Sequence, residues 1–189
     1  LKDLAICSDG TVYKNINKTY MVRKIEKRLK RLQKQVSRKY EKNKKGKEYV
    51  KTKNIIKLEK QIQQVHRRLA NIRNNYLHQT TTNIVKTKPY RVVIEDLAVS
   101  NMMKNKHLSD AIRKQGFSEF RRQLEYKCNF RGIKFVVADR FYPSSKSCSQ
   151  CGKIKKDLKL KDRVYKCSCG LNIDRDLNAS INLSKYKSA

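Results

Sequence analysis

Cys148-Ser149-Gln150-Cys151-Gly152, then Cys167-Ser168-Cys169-Gly170, then Asp174-Arg175-Asp176-Leu177-Asn178-Ala179-Ser180-Ile181-Asn182: these three strings carry the reading of the fold. Two thiolates two residues apart, followed by Gly where the backbone turns under a metal, make a zinc knuckle. Four thiolates in two such pairs can close a tetrahedral site, so zinc there would hold structure and do no chemistry. The second pair is C-x-C, one residue short, so its knuckle must be the tighter one. A redox dithiol would instead want a single C-x-x-C beside a βαβ unit. Cys7 and Cys128 stand apart in apolar surroundings and read as small buried hydrophobes. Clustered cysteines, unlike an evenly spread disulfide scaffold, favour a reducing compartment, and the working expectation is a cytoplasmic protein.

Upstream of the cysteines the chain alternates sheet and helix character. Leu4 to Cys7 and Thr11 to Tyr13 flank Asp9-Gly10, a hairpin signal, and such strands need a larger sheet to pair with. From Lys18 to Thr82 the period is helical. Ile25, Leu29, Leu32, Val36 and Tyr40 form one stripe, and Leu58, Ile62, Val65, Leu69, Ile72 and Tyr76 form another, with a break at Asn43 to Gly46. Two such stripes close as an antiparallel helical hairpin. Val92 to Ile94 reads as a buried strand, Asn101 to Lys106 as a polar linker, and Asp110 to Phe130 as one helix ended by Gly132. Ile133 to Ala138 is a second buried strand, and Leu177 to Leu183 a closing helix. This is an α/β chain with two insertions.

Charge narrows the function. The 189 residues carry 47 Lys plus Arg against 16 Asp plus Glu, a formal net charge of +31. Residues 18 to 89 hold 23 Lys or Arg and four Glu, a net of +19. A helical surface so one-sided repels itself without a counterion, and nucleic acid is the commonest polyanion to supply it. No membrane is expected as partner. No apolar run reaches the roughly 18 residues a spanning helix needs, and Trp is absent as an interfacial anchor.

So basic a chain makes the placement of its few acids informative. Glu95 and Asp96 follow a buried strand, and Asp174 and Asp176 open the last helix. Carboxylates at strand ends and a helix start can converge on two divalent cations, the arrangement that drives in-line phosphodiester cleavage. The plainer readings are exposed strand-end acids and, for Asp174, a helix N-cap.

Together with Val93-Ile94-Glu95-Asp96-Leu97, the three strings resemble the TnpB (OrfB) family, transposon-associated relatives of the type V CRISPR nucleases. The resemblance runs in order over essentially the whole chain and covers the C-terminal half of such a protein. It implies an RNase H-like (RuvC-type) domain, incomplete at its N-terminus, interrupted by a helical hairpin and a zinc ribbon. The implied segments are 1–16, 84–145 and 171–189 for the RuvC-like parts, 17–83 for the hairpin and 146–170 for the ribbon. It further implies a bacterial or archaeal, nucleoid-associated endonuclease that cuts DNA selected by a guide RNA from the transposon end, using Mg²⁺ or Mn²⁺. Glu95 matches the family's second catalytic carboxylate, Asp176 the third, with Asp174 as its alternative. Cys148, Cys151, Cys167 and Cys169 match the structural zinc ligands.

One departure bears on activity. The family's first catalytic Asp lies in a G-x-D-x-G strand just before a segment like Leu1-Lys2-Asp3-Leu4-Ala5, so the expectation is a fragment lacking that Asp and unable to cut DNA alone. The competing expectations are a nuclease-dead nucleic-acid-binding zinc-ribbon module and an unrelated basic ribbon protein that coats RNA.

Overall fold

The computed structural model describes residues 2–159 and 161–187. Leu1 of the opening segment, Leu160 of the ribbon and the last two residues of the C-terminal part therefore lie outside the described residues. The chain divides into two compact units, Ile16–Tyr76 and a discontinuous one of Leu1–Asn15 with Leu77–Ala189.

The discontinuous unit begins with an antiparallel hairpin of β1 (Asp3–Ile6) and β2 (Val12–Lys14). Its turn is built by Asp9, whose Oδ1 accepts the Thr11 N–H at 2.8 Å.

In the helical unit, Thr19 caps α1 (Tyr20–Lys42) by accepting the Val22 N–H. The break at Asn43 holds a miniature antiparallel ladder, β3 (Lys44–Lys45) with β4 (Glu48–Tyr49), before α2 (Lys53–Lys86) begins. The two stripes close on each other. Val22, Ile25, Leu29 and Leu32 are buried with Val65 and Leu69, flanked by Ile16, Leu58, Ile62 and Ile72. Burying each such side chain contributes about 2 kcal/mol, which opposes the mutual repulsion of the outward cations. Arg73 ties the pair further, donating to Glu26 at 2.9 Å and to Asn17 at 2.7 Å. The helix α2 runs four residues past the expected Thr82 end, because Leu77, Thr80, Thr81 and Val85 are buried in the other unit, where the stripe's period no longer applies.

That unit continues with β5 (Arg91–Ile94), α3 (Val99–Met103), α4 (Ser109–Gln115), α5 (Phe117–Phe130) and β6 (Lys134–Val137). β5 and β6 pair in parallel, from Arg91↔Lys134 to Ile94↔Val137. Two expectations need correction here. The linker at Asn101 begins inside α3, and the single helix Asp110 to Phe130 is two helices split at Gly116. Gly116 takes φ +69°, and a Cβ there would stand 3.1 Å from Leu77 Cδ1. The left-handed residue ends α4 and redirects α5, and a Cβ there would also crowd Leu77 of α2.

Val85, Leu124, Cys128 and Ile133 form the core of this unit, with Ile84, Val92, Phe120 and Phe135 against them. Beside it runs a polar seam. Lys127 Nζ donates to the Thr81 and Thr82 hydroxyls and the His78 carbonyl, and Thr81 reaches Gln123. Cys128 is buried, as read, whereas Cys7 is only half-buried.

β5 and β6 are half-buried rather than fully buried. Val92 packs into the core and Val93 faces a cleft. Nor does the β1–β2 hairpin join them in one sheet, since the described strands form separate two-stranded ladders. The carbonyl of Asp3 is taken by the Gln115 side-chain amide at 3.0 Å. What gathers the two ladders is α6 (Arg175–Ser184), which lies against both β1 and β5. It follows β7 (Val164–Lys166) and β8 (Asn172–Asp174), an antiparallel pair. No described helix is long and apolar enough to cross a membrane.

Candidate active site and metal centre

The four clustered cysteines converge. Cys148 and Cys169 bring their sulfurs to 3.6 Å, as do Cys151 and Cys167, and all four sulfurs lie within 4.8 Å of one another. Tetrahedral thiolates around zinc at about 2.3 Å stand roughly 3.8 Å apart, so the set fits a metal such as zinc. Each knuckle is a backbone loop closed on its first cysteine. Gly152 N–H donates to the Cys148 carbonyl and Cys148 N–H to Lys153, at 2.9 Å each. In the second knuckle Gly170 N–H donates to Cys167 and Cys167 N–H to Leu171, one residue earlier in both cases. The C-x-C spacing is therefore absorbed by a tighter turn, with Gly152 and Gly170 both at positive φ.

The thiols are also electrically poised. The backbone N–H of Cys169 brings Cys167 down to about 6. Leu171 N–H pulls Cys169 down too, but burial and the neighbouring sulfurs outweigh it and push it up to about 12. Thiols so close cannot all ionise unless a cation sits among them, which is the charge state a divalent metal supplies.

The ribbon is held to α6 by two asparagines. Asn178 is fully buried. Its Oδ1 accepts Ser149 N–H at 3.0 Å and its Nδ2 donates to the Ser147 carbonyl at 2.7 Å. One turn later Asn182 Nδ2 donates to the carbonyls of Ser144 and Ser147, both at 2.7 Å. An Asn carries both donor and acceptor at the reach of a backbone, and the i, i+4 spacing puts two of them on one helix face. In the sequence both asparagines fall in the string that opens the last helix, where nothing local marks them as clamps on the ribbon. Asn178→Ala should leave the Ser149 N–H unpaired and lower stability by about 2–4 kcal/mol in a denaturant titration. An unchanged midpoint would show the clamp to be dispensable.

A second feature is a cleft of about 900 Å³ in the same unit. Glu95, the residue directly after β5, and Asp176, in the first turn of α6, both line it. Glu95 Oε1 accepts the Ser144 hydroxyl at 2.8 Å. Asp176 Oδ1 lies 3.1 Å from Arg175 Nη2, and its side chain is 44% exposed. Asp3 of β1 lines the cleft as well, an acid that no motif in the sequence singled out. Asp174 does something else. Its Oδ1 accepts the N–H groups of Asp176 at 2.9 Å and Leu177 at 3.2 Å, so it is the N-cap of α6. Nor does Asp96 line the cleft. It holds Arg140 (Oδ2 at 2.5 Å from Nη2) and Arg121 (3.2 Å), and both guanidiniums lie on the cleft wall with Arg163 and Arg175. Among the described residues, the cysteines are the only set of three or more metal-ligating atoms gathered within 4.8 Å.

Carboxylates at the C-terminal end of parallel strands, ringed by Arg, make a place where cations and phosphate can meet. The fold carrying them is shared with a protein of solved structure. The chain superposes with a TM-score of 0.60 on the protein in the "Cryo-EM structure of the Cas12f1-sgRNA-target DNA complex", at 19% identity, over 92% of this chain and 43% of that one. Residues 117–183 match the Cas12f1-like TNB domain, and residues 1–106 match the OrfB family described as "Probable transposase". The chain belongs to the TnpB (OrfB) family. A relative from Escherichia coli (strain K12), InsQ, is 35% identical over 95% of this chain and 45% of its own length. One from Streptomyces pristinaespiralis is 42% identical over 69% of this chain and 32% of its own. Both carry the name "Putative RNA-guided DNA endonuclease". The chain thus spans less than half the length of these curated relatives.

Proposed function

We propose that this chain is the C-terminal nuclease half of a transposon-encoded, RNA-guided DNA endonuclease, built as an RNase H-like (RuvC-type) domain with a helical insert (17–83) and a zinc ribbon (146–170). The observation that carries it is the shared cleft: Glu95 and Asp176, far apart in sequence, line one cavity whose wall also carries Arg121, Arg140, Arg163 and Arg175. Its partners are then target DNA and a guide RNA from the transposon end, its compartment the bacterial or archaeal cytoplasm, and its structural metal Zn²⁺ on Cys148, Cys151, Cys167 and Cys169. Glu95 and Asp176 would hold the catalytic Mg²⁺ or Mn²⁺, which when bound supplies an activated water and neutralises charge on the phosphate. Asp174 serves those two acids indirectly, by fixing where α6 begins. Arg121 and Arg140, held by Asp96, offer donors to the phosphate backbone at the cleft mouth.

A nuclease-dead nucleic-acid-binding module is the competing reading. It is favoured by one observation, that the cleft acids do not close on a common point as the cysteines do. A guided cleavage assay with Glu95 and Asp176 variants separates the two readings.

The helical unit supports nucleic-acid contact in either case. Lys27, Arg28, Arg31 and Lys34 are all exposed on α1. Binding of duplex DNA should weaken steeply with salt, each neutralised phosphate adding about −0.9 to the log–log slope. Replacing these four with Gln should flatten that slope. An unchanged slope would remove α1 from the interface.

A further inference from the structure

The parallel pair β5–β6 has two ends, and only the C-terminal one carries Glu95. At the other end lies a separate cavity of about 790 Å³, bordered by Lys88, Pro89 and Tyr90 before β5 and by Arg131, Ile133 and Lys134 at the start of β6. Strands of four residues put the two ends roughly 13 Å apart. The two cavities share no lining residue.

Three properties of this end point to a ligand. The first is charge: three cations line it, and no acid does among the described residues. The positive field is felt nearby, since Lys127 is held below its ordinary range by burial and then by the charge of Arg131. The second is aromatic exposure. Tyr90 is 88% exposed on the cavity wall, and Phe130, directly before Arg131, is 85% exposed. Here the exposed rings stand next to the three cations, an aromatic face and positive charge within reach of one ligand. Phe130 is braced edge-on by Tyr126 at 6.0 Å, over which Arg122 lies at 5.6 Å, so its ring is oriented although its face is open. The third is backbone conformation. Lys88 has φ +50°, and no other described residue besides glycines takes a positive φ. This is the left-handed residue that ends α2, a position where Gly costs least. A lysine there carries backbone strain that a glycine would not.

We propose that this end of the sheet is a docking site for single-stranded nucleic acid, with Tyr90 and Phe130 as stacking platforms and Lys88, Arg131 and Lys134 on the phosphates. Exposed rings recognise bases, which polyphosphate and the outer surface of a duplex do not offer, and flanking cations track the backbone between bases. The site is independent of the acid-lined cleft, so it stands whether or not the chain belongs to a nuclease.

The test uses the full chain and an oligothymidylate of about 12 nucleotides, within the range a single stacking groove accommodates. Inorganic polyphosphate serves as a base-free probe. Tyr90→Ala should weaken oligothymidylate binding about tenfold and leave polyphosphate binding unchanged. Lys88→Gly relieves the strained backbone, so thermal stability should hold or rise while the single-strand salt slope falls by about 0.7. With iodouracil in the oligonucleotide, photocrosslinks should map to peptides carrying Tyr90 and Phe130. Equal losses for both probes, or crosslinks confined to other aromatic residues, would overturn the proposal. Failure of Glu95 variants to affect cleavage would not, because that outcome concerns the other end of the strands.

Discussion

On the nuclease reading proposed above, Glu95→Ala and Asp176→Ala should each abolish guided, metal-dependent DNA cleavage, with losses on the order of a thousandfold or more. Both side chains line one cleft, and neither anchors the core: Glu95 is exposed and accepts one hydroxyl, from Ser144, and the Asp176 carboxylate reaches the neighbouring Arg175 guanidinium. Binding should survive, and can tighten, because each acid repels phosphate when no cation shields it. Asp174→Asn is the internal control. Asn caps a helix about as well as Asp, so α6 should start where it does and cleavage should stay near wild type. Full cleavage after Asp176→Ala, combined with loss after Asp174→Asn, would exchange the roles of the two acids. Cleavage by neither the wild type nor any variant, with every guide and metal tried, would leave the binding-module reading.

The second large effect concerns the ribbon. The chain should carry one zinc, and Cys148→Ser or Cys169→Ser should release it. The stretch between Ser147 and Ile173 has little core beyond Tyr165, which is buried with its hydroxyl on the Lys146 and Lys153 carbonyls. Metal binding would then supply most of its folding energy, on the order of 10 kcal/mol. Hydrogen exchange should accelerate across both knuckles in the variants. The damage should also spread to α6, because Asn178 and Asn182 clamp the segment entering the first knuckle, and β8 delivers the capping Asp174. Elemental analysis finding no zinc in protein purified without chelator would sink the assignment. Unchanged exchange in Cys148→Ser would deny the metal its structural role.

The two helical stripes, the thiolate pairs and the basic surface were legible residue by residue, because each is a local regularity. A period of 3.6, a two-residue cysteine spacing and a run of lysines need no knowledge of what lies opposite. The split at Gly116 was not legible. Ala111, Ile112, Phe117, Phe120, Leu124 and Cys128 make an apolar pattern that a continuous helix would satisfy, and only Leu77, packed at 3.1 Å from where a Cβ would stand, marks the break. α3 escaped notice because five residues are too few to show a period.

By itself, then, the sequence determined the two long helices of the hairpin, which four cysteines cluster, and that a polyanion is the partner to expect, all of them properties of spacing and composition. Tertiary structure decided which partners each acid meets. Asp96, Asp174 and Asp176 have the same carboxylate and lie near the same elements, yet one is locked between Arg121 and Arg140, one is used up on the amides of a helix N-terminus, and one is left facing the cleft beside Glu95. A carboxylate's role depends on which donors reach it first, and those donors come from α5, from the loop after β6 and from the first turn of α6. Their convergence is a matter of packing across the unit, and no spacing along the chain encodes it.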